Sequence, residues 1–492
     1  MSSFAERCGV HDAARERAIA DTLAAIEADG VDLLRVSWCD LHGMLRGKAL
    51  TPPAAARVLC DGLGMVSTLM LKDASDRTAY KVFEPGGTAS LPGFGQANNL
   101  LLLPDPRSYR RLPWAPGTGW LRAQPWLAGG APVELDSRRV LERLLARLHA
   151  LGMEMRCGLE LEFHIYRIDD ARAQLDPARA AWPGEPPDVQ LIHPGYQLLG
   201  EAWLDMAEPA LRIVRETALG LGLPLSSLEI ELGPSQVEAV FDVTDAMSAA
   251  DHMVLFRNGV RQALQRAGYH ASFMCRPPFP NIMASGWHLH QSLVARDDGR
   301  NLFSRAQPAP GSTRMDAGHV LSELGEHYLA GLLAHARGMT VFCTPTANGY
   351  GRFRPNALAP QSVLWGRDNR GALLRVVGEC GDAATRIENR LGEPSANPYL
   401  YLASQLAAGL DGIERRLRAP RATDDPYHPD AERLPTTLRD AVGALGQDEA
   451  LAAAFGVDFI RYYTRIKLAD ATRYEQAEDP QDFERREFFS RI

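Results

Sequence analysis

Four stretches of this chain alternate apolar and polar residues with period two, and in each the polar face carries ionisable side chains. In residues 155–168, Leu159, Leu161, Phe163 and Ile165 fall on one face, and Glu160, Glu162, His164 and Tyr166 on the other. In residues 227–240, Glu229 and Glu231 share a face; Gly233-Pro234-Ser235 interrupts the strand, read as a bulge, and Glu238 follows. In residues 286–293, His288, His290 and Ser292 share a face opposite Trp287, Leu289 and Gln291. In residues 385–391, Arg386, Glu388 and Arg390 oppose Ile387 and Asn389. Each opposite face is mostly apolar, with Gln291 and Asn389 as the exceptions.

An E-x-E strand alone is more often a solvated sheet face, and R-I-E-N-R alone reads as a surface ion-pair ladder. Four such strands together read differently. Carboxylates lined up in a closed site repel one another, and a divalent cation removes the repulsion. Hard oxygen ligands with a few imidazoles suit Mg²⁺ or Mn²⁺. Arginines nearby suit carboxylate and phosphate oxyanions.

The rest of the composition narrows the setting. The chain has 492 residues, too many for one ordinary core, which predicts two or three domains. A net charge of −8 argues against nucleic acid or an anionic membrane as partner. The start of the chain carries Glu6, Arg7 and Asp12 and no apolar signal core, so a cytoplasmic protein is expected. Seven cysteines, an odd number without a C-x-x-C pair, predict free thiols.

Along the chain, residues 12–29 read as a helix with Ile19, Leu23 and Ile26 on one face. Strands at 33–38 and 44–50 join through Asp40-Leu41-His42-Gly43. Residues 112–130 are rich in Pro, Gly and Trp and lack helical period, so the domain junction is placed near 131–136. Ser137 reads as the N-cap of a helix to 151. Helices are expected at about 199–221 and 246–267, and a mostly helical end from Thr437.

The segments G-L-E-L-E-F, E-L-G-P-S-Q-V-E, S-G-W-H-L-H-Q-S-L, N-G-Y-G-R-F-R-P, W-G-R-D-N-R and R-I-E-N-R followed by A-N-P-Y-L resemble, in this order, the glutamine synthetase superfamily. The resemblance covers nearly the whole chain. It implies an α+β fold, with an N-terminal β-grasp domain (1–134) and a C-terminal catalytic domain (135–492) around an antiparallel sheet. It implies active sites shared between neighbouring subunits of a homo-oligomer, a dodecamer of two hexameric rings. Carried over by motif, Glu162, Glu231 and Glu238 would hold one metal, and Glu160, His288 and Glu388 a second that bridges ATP phosphates. Two or three Mg²⁺ or Mn²⁺ ions and ATP are thus implied. His290 would approach the phosphates and Ser292 the adenine, with Arg375 and Arg386 near ATP. Arg352 and Arg390 would grip the glutamate carboxylate, beside Glu162 and His288, and Arg370 would stabilise the transferring phosphoryl group. Arg370, Arg352 and Glu388 are the expected catalytic residues.

Two departures bear on the nitrogen substrate. Glutamine synthetases bind ammonium with an Asp in an F-D-G-S-S loop; the matching stretch here is Gly64-Met65-Val66-Ser67-Thr68-Leu69, with Val66 in the Asp position. They also carry a flap Glu after R-L-x-P; here Leu358 stands there. Losing both carboxylates removes charge pairing and general-base function together. An apolar lining of Met65, Val66, Leu69, Leu358 and Trp287 favours a bulky, uncharged amine. Aryl amines such as aniline are neutral at pH 7, and a small alkylamine is the next choice. A polyamine needs acidic partners, which Asp73, Asp76 and Glu84 offer on the same segment. Ammonia as substrate and a non-catalytic ring protein are the remaining alternatives. A third departure puts Met283-Ala284-Ser285-Gly286 where the family has N-G-S-G, at the α-amino end of the acid pocket. The expected activity is ATP-dependent ligation of glutamate to an organic amine through γ-glutamyl phosphate, with no nucleic-acid or membrane partner.

Overall fold

The computed structural model describes residues 2–354 and 359–492. Its first sheet is built from β1 (Leu33–Cys39), β2 (Leu45–Leu50), β3 (Leu63–Val66), β4 (Asn99–Pro104), β5 (Arg110–Arg111) and β6 (Thr118–Trp126). The order is β2-β1-β6-β4-β3, with β5 beside β6. The β1–β2 turn forms where the sequence places it: Asp40 Oδ1 accepts from His42 N (2.9 Å) and Met44 N (3.0 Å), and Gly43 takes the left-handed φ of 77°. The stretch read as a non-helical junction hides β6, the strand that pairs with both β1 and β4. Both faces of β6 are largely buried, so it shows no alternation to read.

The second sheet comprises β7 (Met153–Asp170), β8 (Asp188–Leu191), β9 (Leu225–Ile230), β10 (Gln236–Asp245), β11 (Tyr269–Ser272), β12 (Trp287–Ala295), β13 (Trp365–Arg367), β14 (Leu374–Val377) and β15 (Arg386–Gly392). Its order is β13-β14-β15-β12-β7-β10-β9, with β8 and β11 also paired to β7. All pairs are antiparallel except the β13–β14 edge, which is parallel.

One expectation is corrected. Residues 227–240 are not a single bulged strand but a hairpin, in which Val237 pairs with Ile230 and Glu238 with Glu229. Ser235 adopts φ 59°, Gly233 N donates to Gln236 Oε1, and Glu231 N donates to the Gln236 carbonyl, so the chain reverses through 231–235. The reversal moves Glu238 from beyond Glu231 to beside it.

The helices cover the back of this sheet. The helix Ser137–Ala150 buries Leu141, Leu144, Leu145 and Leu148. Its N-cap is Asp136, one residue earlier than expected, and the same carboxylate accepts from Trp38 Nε1 (2.9 Å) in the first sheet. The helix Pro398–Glu414 explains the two polar exceptions on the apolar face. Gln405 Oε1 accepts from Asn389 Nδ2 (2.6 Å) and Gln291 Nε2 (3.2 Å), and Tyr328 Oη donates to Gln291 Oε1 (2.7 Å). They form a satisfied buried network, not a second polar face. All seven cysteines are free. Among the described residues, no helix is long and apolar enough to cross a membrane.

Candidate active site

Strand register brings the ionisable faces together. Glu160 lies opposite His288 across β7–β12, Glu162 opposite Glu238 across β7–β10, and His290 opposite Glu388 across β12–β15. Three sets of ligand atoms converge, each within 4.8 Å of one another: Glu162, Glu231 and Glu238; Glu160, Glu238 and His288; and Glu160, His290 and Glu388. The first is the set expected from the sequence. The second expected set, Glu160, His288 and Glu388, is divided between the other two. Glu388 is turned by Arg375, whose Nη1 reaches its Oε2 at 2.9 Å, and by Arg390 on its other oxygen.

The electrostatics match a cation cradle. Burial raises the pKa of Glu238, and Glu162, Glu160 and Glu231 raise it further. Glu162 and Glu231 are also raised, by burial first. Burial would raise Glu160 too, but hydrogen bonds from His288 and His290 hold it well below the usual carboxylate range. His288 is lowered to about 4 by burial and by Arg390, so it is neutral and offers a lone pair. Clustered carboxylates with neutral imidazoles fit Mg²⁺ or Mn²⁺.

A cavity of about 550 Å³ opens beside the cradle, lined among others by Glu160, His290, Ser292, Arg300 and Arg386. Ser292 and Arg386, both expected to contact the nucleotide, line this one cavity together. Arg375 lies between Asp368 and Glu388. Arg370 is exposed on the turn between β13 and β14. Arg352 is buried at the end of the N-G-Y-G-R segment. Its guanidinium donates to the carbonyls of Arg390 (3.0 Å) and Gly392 (2.8 Å), where β15 ends.

The residues expected around the nitrogen substrate are less gathered. Leu358 lies outside the described residues. Trp287 is corrected: it is fully buried on the opposite face of β12, edge-on to Tyr401 at 5.0 Å, and belongs to the core. Met65 also points into the core, whereas Val66 is 38% exposed and Leu69 half-buried. Of the acids proposed as polyamine partners, Asp73 is buried and binds Arg473 (3.0 Å) and two backbone N–H groups. Asp76 pairs with Arg46 (2.9 Å) and Glu84 with Lys81 (3.1 Å).

Sequence reasoning missed Tyr196. It is 54% exposed and holds a left-handed φ of 59°. Its N–H donates to the carbonyl of Leu232, the residue after Glu231, and its hydroxyl reaches the Asn281 carbonyl. Its backbone is thus tied to the residue after Glu231, and its ring to the segment carrying Asn281. Its only sequence signal is the H-P-G-Y turn, which periodicity does not interpret.

Comparison with known proteins agrees with this geometry. The family described as "Glutamine synthetase, catalytic domain" matches residues 134–486. A gamma-glutamylanilide synthase from Acinetobacter sp is 38% identical over 473 residues, covering 94% of this chain and 92% of the relative. The gamma-glutamylethanolamide synthetase GlnA4 of Streptomyces coelicolor is 30% identical over 476 residues, covering 95% of each. A solved structure of a GmaS/ADP complex superposes with a TM-score of 0.74 at 28% identity, covering 95% of this chain and 98% of that one.

Proposed function

This chain belongs to the glutamine synthetase family and is an ATP-dependent ligase, and we propose that it joins the γ-carboxylate of L-glutamate to an organic amine, foremost an aryl amine such as aniline. The observation that carries the choice of nitrogen is the replacement of two expected carboxylates by Val66 and Leu358, with the acids nearby already engaged by arginine or lysine. A neutral amine needs no anion to hold it. The name of the Acinetobacter relative supports an anilide product, and that of the Streptomyces relative supports a small alkylamine as the second reading.

The chemistry follows from the groups in place. A carboxylate does not react with an amine at neutral pH, so the γ-phosphoryl group of ATP passes first to a carboxylate oxygen and ADP leaves. The amine nitrogen then attacks the acyl carbon, the C–O bond to phosphate breaks, and the nitrogen loses a proton. Glu162, Glu231 and Glu238 would hold one divalent ion, and a second, expected on Glu160, His288 and Glu388, would draw on the two sets that share Glu160. Such ions neutralise the charge of the phosphates. Arg352 and Arg390 orient the acid, and His290 would approach the phosphates while its Nε2–H stays on Glu160. Arg375 and Arg386 flank the nucleotide, and Arg370 meets the transferring group. Val66 and Leu69 would approach from the N-terminal domain of a neighbouring subunit, in a dodecamer of two hexameric rings.

Phosphate release with glutamate, Mg²⁺ and ATP, in the presence of aniline, isopropylamine, putrescine or ammonia, tests the reading. Aniline is expected to give the highest kcat/KM. Ammonia as the best substrate would reject the proposal, and no turnover with any amine would favour a non-catalytic ring protein.

A further inference from the structure

Gln236 opens β10 and is 2% exposed. Its side-chain amide ties three segments together. Nε2 donates to Glu162 Oε2 (3.1 Å), Ser285 Oγ (3.0 Å) and the Ala284 carbonyl (3.3 Å), and Oε1 accepts from Gly233 N (3.0 Å). Its backbone carbonyl accepts from Glu231 N at 3.0 Å. Two members of the Glu162–Glu231–Glu238 set are thus bonded to one residue, and the third lies two positions along the same strand. Glu162 Oε2 also accepts from Gly286 N (2.8 Å), so that oxygen is fully occupied by donors. Oε1 is the oxygen left toward His288 Nε2, at 3.8 Å. The packing leaves no slack: a Cβ on Gly233 would stand 2.6 Å from Gln236 Oε1 and 2.8 Å from Met283 Cβ.

We infer that Gln236 is a positioning residue that aims one oxygen of Glu162 into the three-carboxylate cation site and fixes the Ala284–Ser285 turn relative to it. The inference rests on the proposal that this set holds a metal. A carboxamide is needed because the position must donate to Glu162 and accept from Gly233 at once. Glutamate there sets a second carboxylate against Glu162. Alanine leaves Glu162, Ser285 and the Ala284 carbonyl without their shared donor. Since Ala284 and Ser285 stand at the expected α-amino end of the acid pocket, the same side chain couples cation and acid binding.

The test is Mn²⁺ titration followed by electron paramagnetic resonance on the full-length protein without substrate, comparing wild type, Q236E and Q236A, with steady-state KM values beside it. The expected result is one class of Mn²⁺ site weakened about ten- to a hundredfold while another keeps its affinity. KM for glutamate rises and KM for ATP does not. Wild-type affinity at every site in both variants would overturn the role, and so would uniform weakening of all sites. If Q236A fails to fold, the near-isosteric Q236E decides. Wild-type protein that binds no Mn²⁺ would overturn the cation site itself, and this role with it. Wild-type protein that binds Mn²⁺ but prefers ammonia would overturn only the choice of amine, and the variant comparison still decides for Gln236.

Discussion

Arg386 Nε donates a hydrogen bond to His290 Nδ1 at 3.0 Å. A guanidinium N–H can only donate, so Nδ1 accepts and the ring proton of the neutral imidazole sits on Nε2. That nitrogen faces Glu160 Oε1 at 2.9 Å. His290 therefore donates to Glu160 and accepts from Arg386, so both ring nitrogens are fixed. Both residues line the cavity beside the cradle.

Replacing Arg386 by alanine removes a cation from that cavity and frees the imidazole to take either tautomer. The expected outcome is a rise of about tenfold or more in KM for ATP, with KM for glutamate nearly unchanged. Steady-state kinetics with each substrate varied in turn checks it. Equal changes in both constants would count against the assignment.

Restoring acid at the nitrogen site should shift substrate preference. The double variant V66D/L358E is expected to gain kcat/KM for ammonia and lose it for aniline, because the added carboxylates favour a cation and charge an apolar wall. A preference ratio that stays at the wild-type value in competition assays would show that the nitrogen enters elsewhere.

Gly286 marks how closely Arg352, proposed to orient the acid, approaches the backbone. A Cβ there would lie 2.5 Å from Arg352 Nη2 and 3.2 Å from His288 Nε2. Arg352 is pinned by the carbonyls at the end of β15 and cannot swing away freely. Gly286→Ala is expected to raise KM for glutamate several-fold or more, at a cost in stability of about 1–3 kcal/mol from overpacking. Thermal melts and glutamate saturation curves read the two effects separately.

Cation removal should loosen the sheet as well as stop the reaction. Glu162, Glu231 and Glu238 are raised by burial and by neighbouring carboxylates, so without an ion they are protonated or in conflict. Adding Mn²⁺ to chelated protein at a hundredfold over its Kd is expected to stabilise it by about 2.7 kcal/mol per site. Calorimetry with and without the ion measures this, and an unchanged Tm would argue against a filled cradle.

Far from the cradle, His335 Nδ1 and Nε2 each lie 2.8 Å from a carboxylate, Asp448 and Asp411 respectively. Burial lowers its pKa, but the two acids outweigh burial and raise it. The folded value therefore exceeds the unfolded value of about 6.5. The clamp contributes fully below that unfolded value and is lost as pH rises through the folded one. The Tm gap between wild type and H335Q should be wider at pH 6 than at pH 9. A gap independent of pH would sink the idea.

Much of the cradle is legible in the sequence because its strands are buried on one face and ionisable on the other, which period two reveals directly. Glu160, Glu162, His288, His290 and Glu388 are all readable this way. β6 was not, because burial on both faces erases alternation. The 231–235 reversal looks like a bulge in the sequence because Gly-Pro-Ser suits either, and only the register of Glu238 with Glu229 distinguishes them. Trp287 is easily taken for a site residue because its sequence neighbours face the cradle, whereas its own side chain points into the core. Tyr196 and Gln236 are placed by tertiary hydrogen bonds, to which no local period corresponds.

Glu229, Glu238 and Glu162 stand side by side on β9, β10 and β7. Sliding β10 by a single residue would carry Glu238 to the hydrophobic side and lift Val237 into the cluster of acids. An ion that requires all its ligands at once therefore rewards one alignment of these strands above every other. In this protein the catalytic metal would double as a proofreader of its own scaffold, selecting the correctly threaded sheet before any substrate arrives.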